Sequence, residues 1–255
     1  MKLIKGKTIL YDSDEDFYSR QILGAKPHDK NRIVRTSIAE AVRFLMLGGK
    51  LDYTEPPAER ADPNFPADAK FLDVGCRDGW SLTYLKKGCL DGFTLFPPKK
   101  RFKCTWGLEL SRETVKYARA KGRNVIQGDI RNLVIGENAF DVVFTRHCLE
   151  HTDRPLDALR NMARMLKPGG TLLVIVPREN HDLDPEKSLH SYQSRNDNEL
   201  ADLVAAAGLT VVNSFRRNEY SYRKRKHWYK LSARPRHIGP ELWVLATMSQ
   251  RRVSL

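Results

Sequence analysis

The sequence predicts an α/β fold built on a doubly wound parallel sheet. Short apolar runs alternate with helix-compatible segments from Lys70 to Gly208, the order that produces parallel strands joined by crossover helices. The runs at 140–145 and 171–176 are almost continuously apolar, as expected for strands covered on both faces. The stretch 70–80 adds a third sign: an apolar run, then two glycines four residues apart, predicts a strand, a tight turn and a helix.

The chain before this stretch is predicted to be an extension. Residues 1 to about 30 are polar and poorly periodic, which indicates a flap or a frayed terminus. Ser37 and Glu40 form a capping box for a helix through 41–47. Prolines punctuate the connector at 50–69 and exclude a regular element there. The predicted domains are therefore an extension at 1–69 and a main domain at 70–255.

Each later element follows from local signals. The segment 86–103 is predicted to be a surface loop, although its aromatic and basic residues could also contact a substrate. Ser111 caps a helix at 113–121, a helix at 155–166 is stopped by Lys167-Pro168-Gly169-Gly170, and Asn196 with Glu199 opens a helix that reaches Ala207. The remaining predicted strands are 105–110, 124–129, 210–215 and 241–249.

Composition limits the possible functions. The 255 residues are 41% hydrophobic, enough for one sizeable core. No apolar segment approaches the ~18 residues of a membrane span, and the first residues lack the apolar core of a signal peptide, so we expect a cytoplasmic protein. The four cysteines contain no close pair, which indicates neither a zinc site nor a disulfide framework. The net charge of +13 favours anionic partners.

Three acids lie where successive predicted strands finish. Asp73, Glu109 and Asp129 follow the first, second and third strands, and such strand ends lie side by side along one crevice. A carboxylate after the second strand can accept hydrogen bonds from both hydroxyls of a ribose, and one after the third can accept from the exocyclic amine of adenine. The sequence therefore predicts an adenosine-containing cofactor.

At this point the sequence resembles the class I S-adenosylmethionine-dependent methyltransferases, most closely the ubiquinone and menaquinone branch. The resemblance rests on five ordered motifs: the turn 73–79, Gly107-Leu108-Glu109-Leu110, Gly128-Asp129-Ile130, the strand 140–144 with Leu149-Glu150-His151, and 166–172. It implies S-adenosylmethionine as cofactor and a seven-stranded, mostly parallel Rossmann-like sheet of order 3-2-1-4-5-7-6, with the seventh strand antiparallel.

The resemblance also implies roles for individual residues. The turn would hold the methionine part of the cofactor, Glu109 and Leu110 the ribose side, and Asp129 with Ile130 the adenine. Arg146 and His147 would line the methyl-donor end. The cofactor-binding residues implied are Asp73, Gly75, Cys76, Arg77, Gly79, Glu109, Leu110, Asp129, Ile130, Arg146 and His147. Two features depart from the family pattern: Arg77 replaces the usual central glycine, and an insertion precedes Cys104.

The implied reaction is an in-line methyl transfer, in which alignment of the two reactants is the main task. A hydroxyl nucleophile would also need a base, and histidine is best suited near neutral pH. Besides His147, the candidates are His151, His181 and His190. At His151 a packing or capping role is favoured over catalysis, and His190 is the preferred base because it follows the fifth strand in a loop. No metal site is predicted.

The acceptor is left open between several classes. The chain has no Asp/Asn-Pro-Pro-Tyr after the fourth strand and no Pro before Cys148, which disfavours methylation of a base amine or a pyrimidine carbon. We expect O-methylation of a small-molecule or sugar-type acceptor. The basic, aromatic segment 216–240 keeps an RNA methyltransferase as an alternative, although a solvated basic loop is the simpler interpretation. A non-catalytic cofactor-binding protein is the third possibility.

Overall fold

The computed structural model describes the core of the chain, residues 68–87, 104–179, 190–217 and 240–250, together with shorter pieces. Those pieces are 2–4, 7–9, 89–90, 93–94, Phe102, and the helical residues Ile38, Ala41, Val42, Phe44 and Leu45. Most of the predicted basic segment 216–240, the base candidate His181 and most of the N-terminal extension lie outside the described residues. Predictions about them stay predictions.

The described strands form one large sheet and two small hairpins. The hairpins are β1 (Lys2–Ile4) with β2 (Lys7–Ile9), and β4 (Cys89–Leu90) with β5 (Phe93–Thr94). The large sheet contains β3 (Lys70–Val74), β6 (Cys104–Glu109), β7 (Val125–Gln127), β8 (Phe140–Arg146), β9 (Leu166–Pro177), β10 (Thr210–Arg217) and β11 (Glu241–Thr247).

The order of the large sheet is β7-β6-β3-β8-β9-β11-β10. Strands β7, β6, β3, β8 and β9 run parallel, and β11 is antiparallel to both of its neighbours. Numbered along the chain within this sheet, the order is 3-2-1-4-5-7-6. The predicted fold class, strand order and direction of the seventh strand are confirmed.

In the described core, the helices that pack on the sheet are α1 (Trp80–Lys87), α2 (Arg112–Ala120), α3 (Pro155–Met165) and α4 (Asp197–Ala206). Both predicted N-caps of α2 and α4 are present. The Thr114 N–H donates to Ser111 Oγ at 3.3 Å, and the Glu199 N–H donates to Asn196 Oδ1 at 3.0 Å. A 3-10 turn, Leu149–His151, separates β8 from α3.

Two local predictions were wrong. The segment predicted as a loop at 86–103 contains the β4–β5 hairpin, and Phe102 packs edge-on against Phe71 with ring centroids 5.1 Å apart. Helix α3 ends at Met165, so the predicted stop by 167–170 is confirmed, but β9 already begins at Leu166 and not at the predicted residue 171. Leu166 pairs with Phe140, and the Met248 N–H donates to the Gly170 carbonyl at 2.8 Å, so pairing on both sides overrides the breaking residues.

The sheet has an apolar cluster on each face. One cluster joins α3 and α4 to residues such as Val174 and Val244. The other contains Phe71 and Trp243 together with the N-terminal helical residues, among them Phe44. The described helical residues of the extension thus pack directly on the sheet. None of the helices described is both long and apolar enough to cross a membrane.

Candidate active site

The turn between β3 and α1 has left-handed backbone at three positions. Gly75, Arg77 and Gly79 have φ values of 75°, 53° and 68°. Glycine adopts this region without a steric penalty, whereas other residues rarely do. The Gly75 N–H donates to the Leu108 carbonyl at 2.8 Å, which fixes the turn against the end of β6. Arg77 therefore keeps the backbone shape that a glycine would give.

Gly75 is also required by packing. A Cβ placed on Gly75 would lie 2.5 Å from the Cβ of Cys148, at the end of β8. The side chain of Cys76 points into an apolar cluster with Leu82 and Val115 and is almost fully buried. Cys76 can therefore offer only its backbone to a cofactor. The turn is therefore packed against Cys148 on one side and against the cluster around Cys76 on the other.

Asp73 lies beside this turn and is buried. Burial raises the pKa of its carboxyl group to about 7, although a hydrogen bond from the Ser81 hydroxyl favours the ionised form. Ser81 belongs to the first turn of α1, so the bond ties the end of β3 to the start of the helix. A carboxyl group with a pKa near neutrality can respond to the charge of a bound ligand.

Glu109 ends β6 and holds the turn in place. Its Oε2 accepts a hydrogen bond from the Arg77 N–H at 2.9 Å, and its Oε1 accepts one from the Ser111 N–H at 3.0 Å. Burial raises the pKa of Glu109, and these N–H bonds oppose the rise. An ionised carboxylate offers about four acceptor positions. The Leu110 N–H also bonds to Glu109, so Glu109 retains capacity for about one further donor. Leu110, the next residue, is half-buried.

Asp129 lies two residues beyond the end of β7 and is engaged by Arg131. The Arg131 guanidinium donates to both carboxylate oxygens of Asp129, at 2.6–3.0 Å, and also reaches Asp153 Oδ1 at 2.8 Å. Partial burial disfavours the ionised carboxylate, but Arg131 outweighs this effect and lowers the pKa of Asp129. Ile130 is buried in the apolar cluster next to α3. Sequence reasoning did not identify Arg131 as a site residue, because its role is evident only from its contacts with Asp129 and Asp153.

Arg146 and His147, at the end of β8, are held by a buried carboxylate from a distant strand. Arg146 Nη2 donates to Glu241 Oε1 at 2.7 Å, and His147 Nε2 lies 3.0 Å from the same oxygen. Trp243 Nε1 donates to Glu241 Oε2 at 3.1 Å, and the Arg217 guanidinium lies 3.9 Å from that atom. Burial opposes ionisation of Glu241, but these cations outweigh it and hold its pKa far below the usual range.

His147 also has an unusual backbone, with a φ of 50°. Burial and the neighbouring Arg146 lower its pKa, while Glu241 acts in the opposite direction. The neutral imidazole is therefore its favoured form near pH 7. Sequence reasoning missed Glu241 because no local pattern marks a buried acid at the start of the last strand.

The two base candidates His151 and His190 meet in space. Their ring centroids lie 5.0 Å apart at an angle of 75°. His190 Nδ1 is hydrogen-bonded to Glu179, and His151 Nε2 lies 3.9 Å from Glu150 Oε1. Burial raises the pKa of Glu150 to about 8. The side chains of His151 and His190 are 34% and 26% exposed, so both remain accessible from the surface.

Backbone bonds between three chain segments assemble this cluster. The Tyr192 N–H donates to the Glu150 carbonyl at 3.0 Å, and the Glu179 N–H donates to the Ser194 carbonyl at 3.0 Å. Arg178 and Ser194 form a parallel bridge. The segment after β9 thus returns to the 3-10 turn after β8. Sequence reasoning found both histidines but neither Glu150 nor Glu179 as a site residue, because their pairing depends on this return.

The comparisons with known proteins agree on the type of domain. Residues 72–174 match the family described as a methyltransferase domain. Malonyl-[acyl-carrier protein] O-methyltransferase of Hahella chejuensis is 27% identical over 150 residues, which cover 57% of this chain and 49% of that protein. The ubiquinone/menaquinone biosynthesis C-methyltransferase UbiE of Azotobacter vinelandii is 46% identical over 50 residues, 20% of each chain. The chain spans half the length or less of these curated relatives.

Among solved structures, a candidate sarcosine dimethylglycine methyltransferase from Galdieria sulphuraria superposes with a TM-score of 0.56. The alignment covers 94% of this chain and 100% of that chain, at 15% identity. At that identity the likeness concerns the fold alone.

Proposed function

We propose that this protein transfers a methyl group to an oxygen atom of a small, anionic acceptor. Residues 72–174 form a class I S-adenosylmethionine-dependent methyltransferase domain. The family predicted from the motifs is confirmed, and it implies S-adenosylmethionine as the cofactor. The identity of the acceptor and the atom that is methylated are the parts that we propose.

The arrangement of Glu109 supports the cofactor-binding roles. Its carboxylate is held by backbone N–H groups and retains acceptor capacity, which suits a hydroxyl of a ribose. Asp73 and the turn 75–79 would hold the amino-acid end through carboxylate and backbone. Asp129, fixed by Arg131, would accept from the adenine amine, with Ile130 as apolar support. Each of these roles is inferred from position and chemistry.

Transfer to oxygen requires a proton acceptor, and His190 is the best placed. Glu179 binds His190 Nδ1, which leaves Nε2 with a lone pair. As the acceptor oxygen forms its bond to the methyl carbon, the bond from that carbon to the sulfonium sulfur breaks, and the hydroxyl proton passes to His190 Nε2. S-adenosylhomocysteine leaves as a neutral sulfide. Arg146 and His147, held by Glu241, would line the methyl-donor end.

The nature of the acceptor is supported by charge and by the histidine pair. The net charge of +13 favours an anionic partner. The matched relatives include proteins named as O-, C- and N-methyltransferases, so their names do not choose the acceptor atom, whereas a general base favours a hydroxyl.

Calorimetry with S-adenosylmethionine and S-adenosylhomocysteine tests the cofactor part of the proposal. We expect Glu109→Gln to weaken binding at least tenfold and Glu113→Ala, an exposed acid of α2, to leave it unchanged. Thermal melting checks that both variants fold. Equal binding by Glu109→Gln and the unaltered protein, or no heat with either ligand, would overturn the proposal.

Labelled cofactor tests the acceptor part. The protein is incubated with labelled S-adenosylmethionine and fractionated anionic metabolites, and products are identified by mass spectrometry. We expect a methyl ether or ester whose formation falls at least a hundredfold in His190→Ala. Label transferred to RNA, with binding that weakens steeply with salt, would instead support the RNA methyltransferase.

A further inference from the structure

We propose that Glu150, His151 and His190 form a binding site for a divalent first-row transition metal, beside the acceptor side of the cofactor crevice. The sequence predicted no metal site, and nothing in the motifs requires one. Metal binding by these residues does not depend on the proposed function, whereas the role of the metal in activating an acceptor rests on it.

The three ligand atoms already converge. One ligand atom from each of these residues lies within 4.8 Å of the others. Bonds from such a metal to nitrogen or oxygen are about 2.0–2.2 Å long, so ligands of one ion lie roughly 3–4 Å apart. Side-chain rotations that move each atom by about one ångström would therefore complete the coordination, and the partly exposed imidazole rings have room to move.

A second and independent observation concerns Glu150. Its side chain is only 3% exposed, and its Oε2 is fully buried with no hydrogen-bond partner among the described residues. Leaving a buried polar atom without a partner is unfavourable, so such an atom calls for a bound water, ligand or ion. A cation between Glu150 and the two imidazoles would satisfy this carboxylate.

Glu179 supplies the outer support that metal-bound histidines need. Its carboxylate is 5% exposed and bonds to His190 Nδ1. A histidine that ligates through one nitrogen commonly donates its other N–H to a carboxylate, which fixes both tautomer and ring orientation. Glu179 is therefore a positioning residue, and with Nδ1 bound to Glu179, His190 would ligate the metal through Nε2.

The donor set selects the kind of ion. Two imidazole nitrogens and one carboxylate oxygen suit Zn²⁺, Mn²⁺, Fe²⁺ or Co²⁺, whereas Mg²⁺ and Ca²⁺ prefer oxygen ligands. Three protein ligands leave at least one open position, the arrangement of catalytic rather than structural sites. An acceptor hydroxyl bound there would ionise more easily. In the metal-bound protein the hydroxyl proton would pass to solvent water instead of to His190, because Nε2 cannot ligate and accept a proton at once.

Titration of the metal-stripped, tag-free protein tests the site. Co²⁺ is followed by its visible absorption, and Zn²⁺ and Mg²⁺ by calorimetry. We expect one equivalent of Co²⁺ or Zn²⁺ to bind, with Mg²⁺ at least tenfold weaker. Glu150→Gln should weaken Zn²⁺ binding at least tenfold and remove the Co²⁺ band. Glu179→Gln should weaken Zn²⁺ binding about 10–100-fold.

Glu137→Gln is the matched control, because Glu137 is an exposed acid paired with Arg164. It should bind Zn²⁺ like the unaltered protein. Equal Zn²⁺ binding by Glu150→Gln and the unaltered protein, or no binding by either, would overturn the metal site. Cofactor calorimetry on the same samples separates the two proposals: loss of S-adenosylmethionine binding with intact Zn²⁺ binding would count against the proposed function alone.

Discussion

At the scale of single residues, Arg77 shows how an unexpected side chain can keep a required backbone. Its φ of 53° is costly for any residue with a Cβ, by about 1–2 kcal/mol, and its N–H still reaches Glu109. We expect Arg77→Gly to be more stable to urea than Arg77→Ala by about 1 kcal/mol, because both remove the guanidinium but only glycine relieves the backbone. Equal unfolding midpoints and slopes would contradict this.

Asp73 should make stability depend on pH in a defined window. Its carboxyl titrates near pH 4 in the unfolded chain and at about 7 in the folded protein. Between these values the folded state holds a proton that the unfolded state has lost. The stabilising contribution is therefore complete below about pH 4 and is lost as the pH rises through 7.

Urea unfolding at pH 5, 6, 7 and 8 measures this effect. The free energy of unfolding of the unaltered protein, relative to Asp73→Asn, should fall by about 1.4 kcal/mol for each pH unit between 5 and 7. Ser81→Ala removes the hydrogen bond that favours the ionised carboxylate, so it should extend the fall to higher pH. Parallel profiles for the unaltered protein and Asp73→Asn would show that the group is not buried as described.

Gly75, Gly79 and Glu241 show which features of the site could be predicted from sequence and which could not. The positions of Gly75 and Gly79 could be predicted, because glycine after a strand marks a left-handed turn. The reason for Gly75 could not, since its close neighbour is Cys148, which lies 73 residues later, just beyond β8. The role of Glu241 could not be predicted from local sequence either, because its partners Arg146 and His147 lie 95 and 94 residues away.

At the scale of elements, the capping box of α4 provides a direct test of local coding. The Asn196 side chain accepts from the Glu199 N–H, and Glu199 Oε2 accepts from the Arg195 N–H at 2.9 Å. Asn196→Ala should lower the free energy of unfolding by about 1 kcal/mol, and Asn196→Ser by much less, because serine is also a good N-cap. Urea unfolding measures both, and equal losses would mean that the cap contributes nothing.

Elements with strong local signals were predicted well, whereas the early start of β9, which depends on distant pairing, was not predicted. The caps of α2 and α4 are formed by residues that lie close together in the sequence. The first part of β9 contains Lys167, Pro168 and two glycines, which locally break structure. It is a strand because Leu166 pairs with Phe140 on one side, and Gly169 and Gly170 exchange backbone hydrogen bonds with Met248 on the other. No reading of 166–170 alone could supply those partners.

At the scale of the whole molecule, strand order follows from the family motifs, but the composition of the site does not. The motifs place the strand ends in sequence, and the crevice follows from that order. The cluster of Glu150, His151, Glu179 and His190 needs the chain after β9 to return to the turn after β8. Loop paths of this kind carry no periodic signal, which is why only the two histidines were found.

The described helical residues of the N-terminal extension should contribute to the stability of the whole molecule. Phe44 is 1% exposed, and its ring meets Phe215 and Trp243 edge-on, with centroids 5.2 and 5.5 Å apart. Phe44→Ala should therefore lower the free energy of unfolding by about 3–5 kcal/mol. Phe44→Leu, which keeps most of the volume, should cost less than half as much. Urea unfolding followed by circular dichroism measures both.

A loss below about 1 kcal/mol for Phe44→Ala would mean that the extension docks on a sheet that is stable without it. A large, single-step loss would make the extension part of the same cooperative unit as β10 and β11, which supply Phe215 and Trp243.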